Sequence, residues 1–306
     1  MISDKPVELP AGLMQRAKGG SASKAVIVGA HRDVVIESVR DAVESSLIVP
    51  VLVGETSQIK AIAGKIGFSL DDVELIEASG DEDVARKAAL RASQSDIGMV
   101  VKGHVHTDAY MSALLKGEIG IRQSGRRMTH CFHMTVPGDD RPLIITDAAV
   151  NIAPDATTKK AAIVNAVGLA RAVGIERPRV AILSATETPL PQMPSSMEAA
   201  ELSDWAATEV KDADVCGPLA FDNAVSPAAA ELKGIENPVA GHADILLVPN
   251  IETGNALFKM MVYFSSACAA GVVLGGRIPI VLTSRADPAE ARLASVALAK
   301  LCSDMG

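Results

Sequence analysis

Short apolar runs alternate along this chain with longer amphipathic stretches. Residues 25–29, 49–54, 73–76 and 99–101 read as strands, and the intervening segments 33–46, 56–66 and 81–95 carry helical periodicity. That is a βαβ rhythm, which predicts a mostly parallel sheet and an α/β fold class. After a Gly- and Arg-containing connection at 117–127, two further runs at 131–136 and 143–146 flank Pro137-Gly138-Asp139-Asp140, which predicts a β-hairpin. A second unit starts here, with a helix near 157–173, a strand at 180–183 and a helix near 196–211. Strands at 244–248, 271–274 and 279–282 follow, with an apolar helix at 256–270 and a closing helix at 288–301. No repeat or low-complexity linker interrupts the series.

Length and composition sharpen the picture. The chain has 306 residues, 48% of them apolar, which supports a substantial core and predicts two domains. A net charge of -8 without a basic stripe argues against nucleic acid as a partner. No apolar run approaches a membrane span, and the start Met1-Ile2-Ser3-Asp4-Lys5 lacks the pattern of a signal peptide, so no membrane association and a cytoplasmic location are expected. Cys131, Cys216, Cys268 and Cys302 show no close spacing and read as buried small apolar residues.

Candidate chemistry gathers where strands end. Lys102-Gly103-His104-Val105-His106-Thr107-Asp108 follows the strand at 99–101 and leads into a helix capped by Thr107 or Asp108, a place for an anion or an ordinary capped loop. His104, His106, His130 and His133 fall in a short region, but no third ligand or orienting carboxylate is identifiable, so no metal is expected. Asp147 and Asn151 follow the strand at 143–146, and Asp222 and Asn223 follow Gly217-Pro218; in both places the side chains either orient a ligand or form a turn. Asn250 ends the strand at 244–248, and Thr253-Gly254-Asn255 resembles a phosphate cradle at a helix start only loosely. Neither a P-loop nor a dinucleotide fingerprint is present. At the end of the strand at 279–282, Thr283-Ser284-Arg285 presents a hydroxyl and a guanidinium fork suited to a small oxyanion; alternatively Ser284 caps a helix and Arg285 pairs with Glu290.

Six segments together, in order over residues 98–302, resemble the phosphate acetyltransferase and phosphate butyryltransferase family. They are Lys102 to Asp108, Thr146-Asp147-Ala148-Ala149-Val150-Asn151, Ile182-Leu183-Ser184-Ala185-Thr186-Glu187-Thr188, the stretch from Gly217 to Ala224, the stretch from Pro238 to Asn250, and Leu282-Thr283-Ser284-Arg285-Ala286-Asp287. The resemblance implies reversible transfer of a short acyl group between coenzyme A and inorganic phosphate. It also implies two α/β domains with a cleft between them, similar to isocitrate and isopropylmalate dehydrogenases, with 1–127 plus 278–306 as one domain and 128–277 as the other. Acetyl is the first expectation for the acyl group and butyryl the alternative, since one methylene is worth only about 1 kcal/mol. Coenzyme A then enters as a substrate, no tightly bound cofactor is implied, and a homodimer is favoured.

Forming a thiolate from a thiol of pKa near 8.5 costs about 2 kcal/mol at neutral pH, so the reaction gains from a carboxylate base. The resemblance gives Ser284 a hydrogen bond to the transition-state oxyanion and gives Arg285 phosphate or coenzyme A. Longer phosphate acetyltransferases carry a general-base Asp seven residues after that Ser, where this chain has Ala291. Asp287 and Glu290 are the nearest substitutes, and Asp147 or the bound phosphate itself are further ones. The candidate catalytic set is therefore Ser284, Arg285, Asp287 and Glu290. The binding set is Lys102, His106, Thr129, Asp147, Asn151, Asp222, Asn223, Asn250, Gly254 and Asn255, with Arg122, Arg126 and Arg127 as either coenzyme A contacts or a solvated loop. Two other classes stay open: a metal-dependent decarboxylating dehydrogenase, for which no Asp-x-x-x-Asp arrangement is found, and a catalytically silent coenzyme A-binding protein.

Overall fold

The computed structural model describes residues 2–116, 121–283 and 287–304. Two compact units divide the chain: a first of Leu9–Arg126 with Ala270–Gly306, and a second of Met1–Glu8 with Arg127–Ala269. The sequence division places residues 1–8 and Arg127 with the N-terminal domain and 270–277 with the middle one. Backbone bonding accounts for the difference: Ile2 and Ser3 donate N–H groups to Tyr263 O, and Val273 pairs with Ile280.

The first unit runs α1 (Ala11–Ala17), β1 (Ser23–Val28), α2 (Asp33–Glu44), β2 (Ile48–Gly54), α3 (Thr56–Ile66), β3 (Glu74–Glu77), α4 (Asp81–Ala92), β4 (Met99–Lys102) and α5 (Thr107–Leu115). The second runs β5 (Thr129–Val136), β6 (Asp139–Thr146), α6 (Ala156–Ala172), β7 (Arg179–Leu183), α7 (Pro194–Glu209), β8 (Asp214–Leu219), α8 (Phe221–Val225), α9 (Pro227–Leu232), β9 (Ile245–Leu247) and α10 (Ile251–Ser265). The chain closes with β10 (Cys268–Leu274), β11 (Ile280–Val281) and α11 (Ala289–Ser303).

Strand order is β3-β2-β1-β4-β11-β10 in the first unit and β5-β6-β9-β7-β8 in the second. All these pairs are parallel except β10 with β11 and β5 with β6. Parallel strands covered by helices on both faces read as continuous apolar runs, as β1 and β2 do. Helix α2 turns Ile36, Val39 and Ala42 inward at i, i+3 and i+6, which is why the 3.6-residue period was legible there. The acidic first turn of α4, Asp81-Glu82-Asp83, complements its helix dipole, and Gly67 closes α3 in the left-handed conformation with φ of 70°.

Three readings of the sequence change. The apolar helix expected at 256–270 is α10, which starts five residues earlier and stops at Ser265, with Cys268 already in β10. Residues 214–219 form a strand despite Gly217-Pro218. β8 lies at the end of the strand order, where a Pro without an N–H breaks no inner ladder, and a Cβ at position 217 would stand 2.6 Å from Ile182 Cβ. The hairpin turn narrows to Pro137-Gly138, with Gly138 at φ of 83°.

Candidate active site

Parallel strands send the loops that follow them to one side of a sheet, where ligands sit in open α/β folds. In the second unit, Asp147 follows β6 directly and is buried. Its carboxylate accepts from the N–H groups of His130, Ala149 and Val150, each at 3.0 Å, and from Asn151 Nδ2 at 2.6 Å. Four donors fill the lone-pair positions of a carboxylate. Asp147 thus builds the loop and leaves no acceptor for a substrate proton, which corrects its reading as a substitute base and as a ligand contact. Asn151 also donates to Met128 O at 2.9 Å, tying the loop to the start of β5. Thr129 is buried, and its Oγ1 accepts from Asn165 Nδ2 at 2.8 Å, so the structure places it in the support of that loop and not on a ligand-facing surface. Asn165 had no motif to reveal it.

Asn250 caps α10, its Oδ1 accepting from Thr253 N at 3.0 Å and from Thr253 Oγ1 at 2.7 Å. Ile251 N donates to Ile152 O and Gly254 N to Asn250 O. These bonds take up the N–H groups of the expected phosphate cradle, and Thr253-Gly254-Asn255 lies inside the helix. Gly254 has another use: a Cβ there would stand 2.8 Å from Ala148 Cβ, so α10 packs directly onto the Asp147 loop. Asp147, Asn151, Asn250, Gly254 and Asn255 are thereby brought together. Asp222 stands exposed in the first turn of α8, whereas Asn223 is buried and donates to Glu187 Oε1. A backbone hydrogen bond and Lys233 Nζ at 3.1 Å hold the Glu187 carboxyl below its ordinary range. Glu187 sat within one of the quoted motifs without being singled out.

The histidines do not converge. His130 and His133, three residues apart on β5, face opposite sides of the strand. Burial lowers the pKa of both, to about 4 for His133, while Asp147 partly opposes the shift at His130. A folded-state pKa below the ordinary 6.5 means a contribution to stability that is complete above pH 6.5 and is lost as pH falls toward 4. For His133 that amounts to roughly 3 kcal/mol at full development. Because His133 Nδ1 has no hydrogen-bond partner, His133→Leu is expected to keep stability at pH 7 and to flatten the acid limb of a urea-midpoint profile. Equal slopes between pH 6.5 and 4 in variant and parent would contradict this. Burial also raises the thiol pKa of Cys131 to about 12 and raises that of half-buried Cys216, which leaves both poor nucleophiles.

In the first unit, Lys102 ends β4 and Gly103 makes the turn. A Cβ at 103 would stand 2.7 Å from Val28 O, so glycine lets the loops after β1 and β4 close on each other. His104 meets His31 edge to face at 5.4 Å. The N-cap of α5 is His106, not Thr107 or Asp108, and its N–H donates to Asp81 Oδ2 at 2.7 Å, so this chain's own carboxylate occupies part of the expected anion seat. Thr283 Oγ1 donates to Lys102 O at 3.3 Å, joining the ends of β11 and β4. Asp287 precedes α11 and Glu290 lies in its first turn, next to buried Ala291, which supplies no carboxylate. Arg292, unremarked in the sequence, donates from Nη1 to Asp287 O and from Nε to Ser38 Oγ at 2.8 Å. Ser284 and Arg285 lie outside the described residues. Between α2, α11 and the sheet lies a small cavity of about 50 Å³ whose lining includes Lys102, Gly103 and Thr283.

The family model for phosphate acetyl/butaryl transferase matches residues 81–300. The chain belongs to this family. It is 41% identical to a phosphate acetyltransferase of Rickettsia prowazekii over 97% of this chain and 85% of that protein. It is 38% identical to a phosphate butyryltransferase of Clostridium acetobutylicum over 94% of this chain and 96% of that one. The solved structure of a branched-chain phosphotransacylase from Enterococcus faecalis superposes with a TM-score of 0.81 at 28% identity, covering 92% of this chain and 99% of that one. For a member of the phosphate acetyl/butaryl transferase family, the strand ends that carry Lys102, Thr283 and Asp287 are where the matched region and the candidate chemistry coincide.

Proposed function

We propose that this protein is a phosphate acyltransferase that moves a short acyl group reversibly between coenzyme A and inorganic phosphate, with acetyl as the first substrate. The observation that carries the reading is the family match over 81–300, which contains the paired strand ends of β4 and β11. Butyryl is the second reading, favoured by the butyryltransferase relative.

In this reading the carbonyl oxygen of the acyl group becomes an oxyanion as sulfur or phosphate attacks. Ser284 donates a hydrogen bond to it, and Arg285 neutralises the phosphate. Lys102 and His106 add positive charge or donors at the end of β4, and Asn250 and Asn255 offer half-buried amides at the start of α10. Coenzyme A is a substrate and not a held cofactor. Asp287 and Glu290 are the carboxylates proposed to assist thiol deprotonation. Asp287→Asn or Glu290→Gln is expected to lower kcat about 10²-fold in whichever holds that role; near-normal turnover in both, measured from pH 6 to 9, would exclude them.

The proposal extends to a cytoplasmic homodimer. Met260, Tyr263 and Phe264 on α10 are each about half exposed, at 53%, 50% and 53%, an apolar face that a second copy would cover. No helix among the described residues is long and apolar enough to cross a membrane. An architecture shared with isocitrate and isopropylmalate dehydrogenases is also proposed, supported by the division into two α/β units. The test of the activity is release of free thiol from acetyl-CoA that depends on added phosphate, run beside butyryl-CoA; no release from either would reject it.

A further inference from the structure

We propose that the cavity between α2 and α3 binds a nucleotide, an aromatic base on a phosphorylated ribose, with Arg32 at its phosphate and Ala61 and Ile62 against its base. The inference goes beyond the acyl-transfer reading and does not rest on it.

Topology marks the place. Strands β1, β2 and β3 lie side by side in chain order, and the chain then crosses back to set β4 on the other side of β1. In an open parallel sheet the crevice at such a reversal, outside the carboxyl ends of the strands, is where ligands lie. His31 follows β1, His104 follows β4, and their rings meet there. Beside them opens a cavity of about 530 Å³, within the roughly 300–1,000 Å³ of small-molecule sites. Arg32 is the N-cap of α2, and Asp33 and Val34 begin its first turn. Gln58, Ala61 and Ile62 line the cavity from α3, at spacings of three and four residues that put them on one face of that helix.

The lining is mixed in a way that selects the ligand. Val34, 37% exposed, stands with Ala61 and Ile62 as an open apolar wall, and the two imidazoles complete a surface for a flat ring. Arg32 is exposed, and among the described residues no carboxylate pairs with it and no side chain caps α2. A guanidinium and the first N–H groups of a helix therefore meet at the cavity, which suits a phosphate. Burial lowers the pKa of His31 and keeps the ring neutral at pH 7. Its Nδ1 is buried without a partner, where a proton would be a stranded donor, so Nε2 carries the proton and donates. Asp33 keeps acceptor positions beyond its exposed pair with Lys65, and these suit ribose hydroxyls. A bare anion is opposed by Asp33 on the wall and by Glu55 and Asp81 in the field of His31, whereas an aliphatic chain would cover these polar groups without bonding them. A nucleotide uses both kinds of lining.

The experiment is calorimetric titration of the full chain with adenosine 3′,5′-bisphosphate, AMP, adenosine and inorganic phosphate, in the parent, in Arg32→Gln and in Ala61→Trp. Arg32 and Ala61 are both exposed, so neither substitution disturbs the core, and an indole at 61 takes the place of the base. At least one of the two nucleotides is expected to bind the parent about tenfold or more tighter than adenosine or phosphate alone, and to weaken about tenfold in each variant. The bisphosphate is the nucleotide end of coenzyme A, and AMP stands for a free nucleotide. Displacement of the bound nucleotide by coenzyme A, with coenzyme A itself weakened in Arg32→Gln, identifies that end of coenzyme A as the occupant. A nucleotide that stays bound at saturating coenzyme A identifies a free nucleotide. No binding of either nucleotide to the parent at millimolar concentration, or affinities constant within about twofold across the folded variants, would overturn the assignment. The titration reads binding without turnover, so absence of thiol release from acetyl-CoA would reject the acyl-transfer reading and leave this one standing.

Discussion

Replacing Ser284 with alanine is expected to lower kcat for acyl transfer by about 10²–10³-fold while changing KM little, because the lost hydrogen bond matters only once the carbonyl oxygen carries charge. In the ground state that oxygen is neutral and a missing hydroxyl costs little binding. In the tetrahedral transition state it is an oxyanion, and losing a donor to it corresponds to about 3–4 kcal/mol. Steady-state kinetics in both directions, with the fold checked by circular dichroism, separates the two parameters. A loss below about fivefold would assign the oxyanion to backbone N–H groups and remove Ser284 from the chemistry.

The second large effect concerns architecture. Asp147→Ala is expected to destabilise the second unit by about 3–5 kcal/mol, because it strands buried donors that now converge on one carboxylate. The N–H groups of His130, Ala149 and Val150 and the amide of Asn151 would all lose their acceptor. The consequences should spread to α10, since Gly254 packs on Ala148 in the same loop and Ile251 N bonds Ile152 O. Asp147→Asn keeps the shape but turns a donor toward donors, so an intermediate loss is expected. Urea unfolding at pH 7 gives the measurement; a loss below about 1 kcal/mol would show that water replaces the carboxylate.

The distinction between what the sequence discloses and what it hides follows from how each signal arises. Strands β1, β2 and β4 are visible because a parallel strand covered on both faces must be apolar throughout. Lys102, Asp147 and Asn250 are visible as polar residues at the ends of such runs. Their roles are not, because a role depends on partners brought from elsewhere: three backbone N–H groups around Asp147, and Asp81, twenty-five residues before His106, on the cap of α5. The end of α10 was missed for a local reason. Apolar residues continue from helix into β10, and the break falls at Ser266, held at φ of 51° where a glycine would have marked it. The cavity beneath α2 was invisible because its apolar lining residues also fit an ordinary core.

The most direct test of the central claim is a product balance: acetyl-CoA and phosphate are incubated with the enzyme, free thiol is titrated, and acyl phosphate is trapped with hydroxylamine in the same samples. Acyl transfer predicts equal amounts of thiol and acyl phosphate, both absent without phosphate. Thiol released without acyl phosphate, or at the same rate without phosphate, would mean that water accepts the acyl group and would contradict the account.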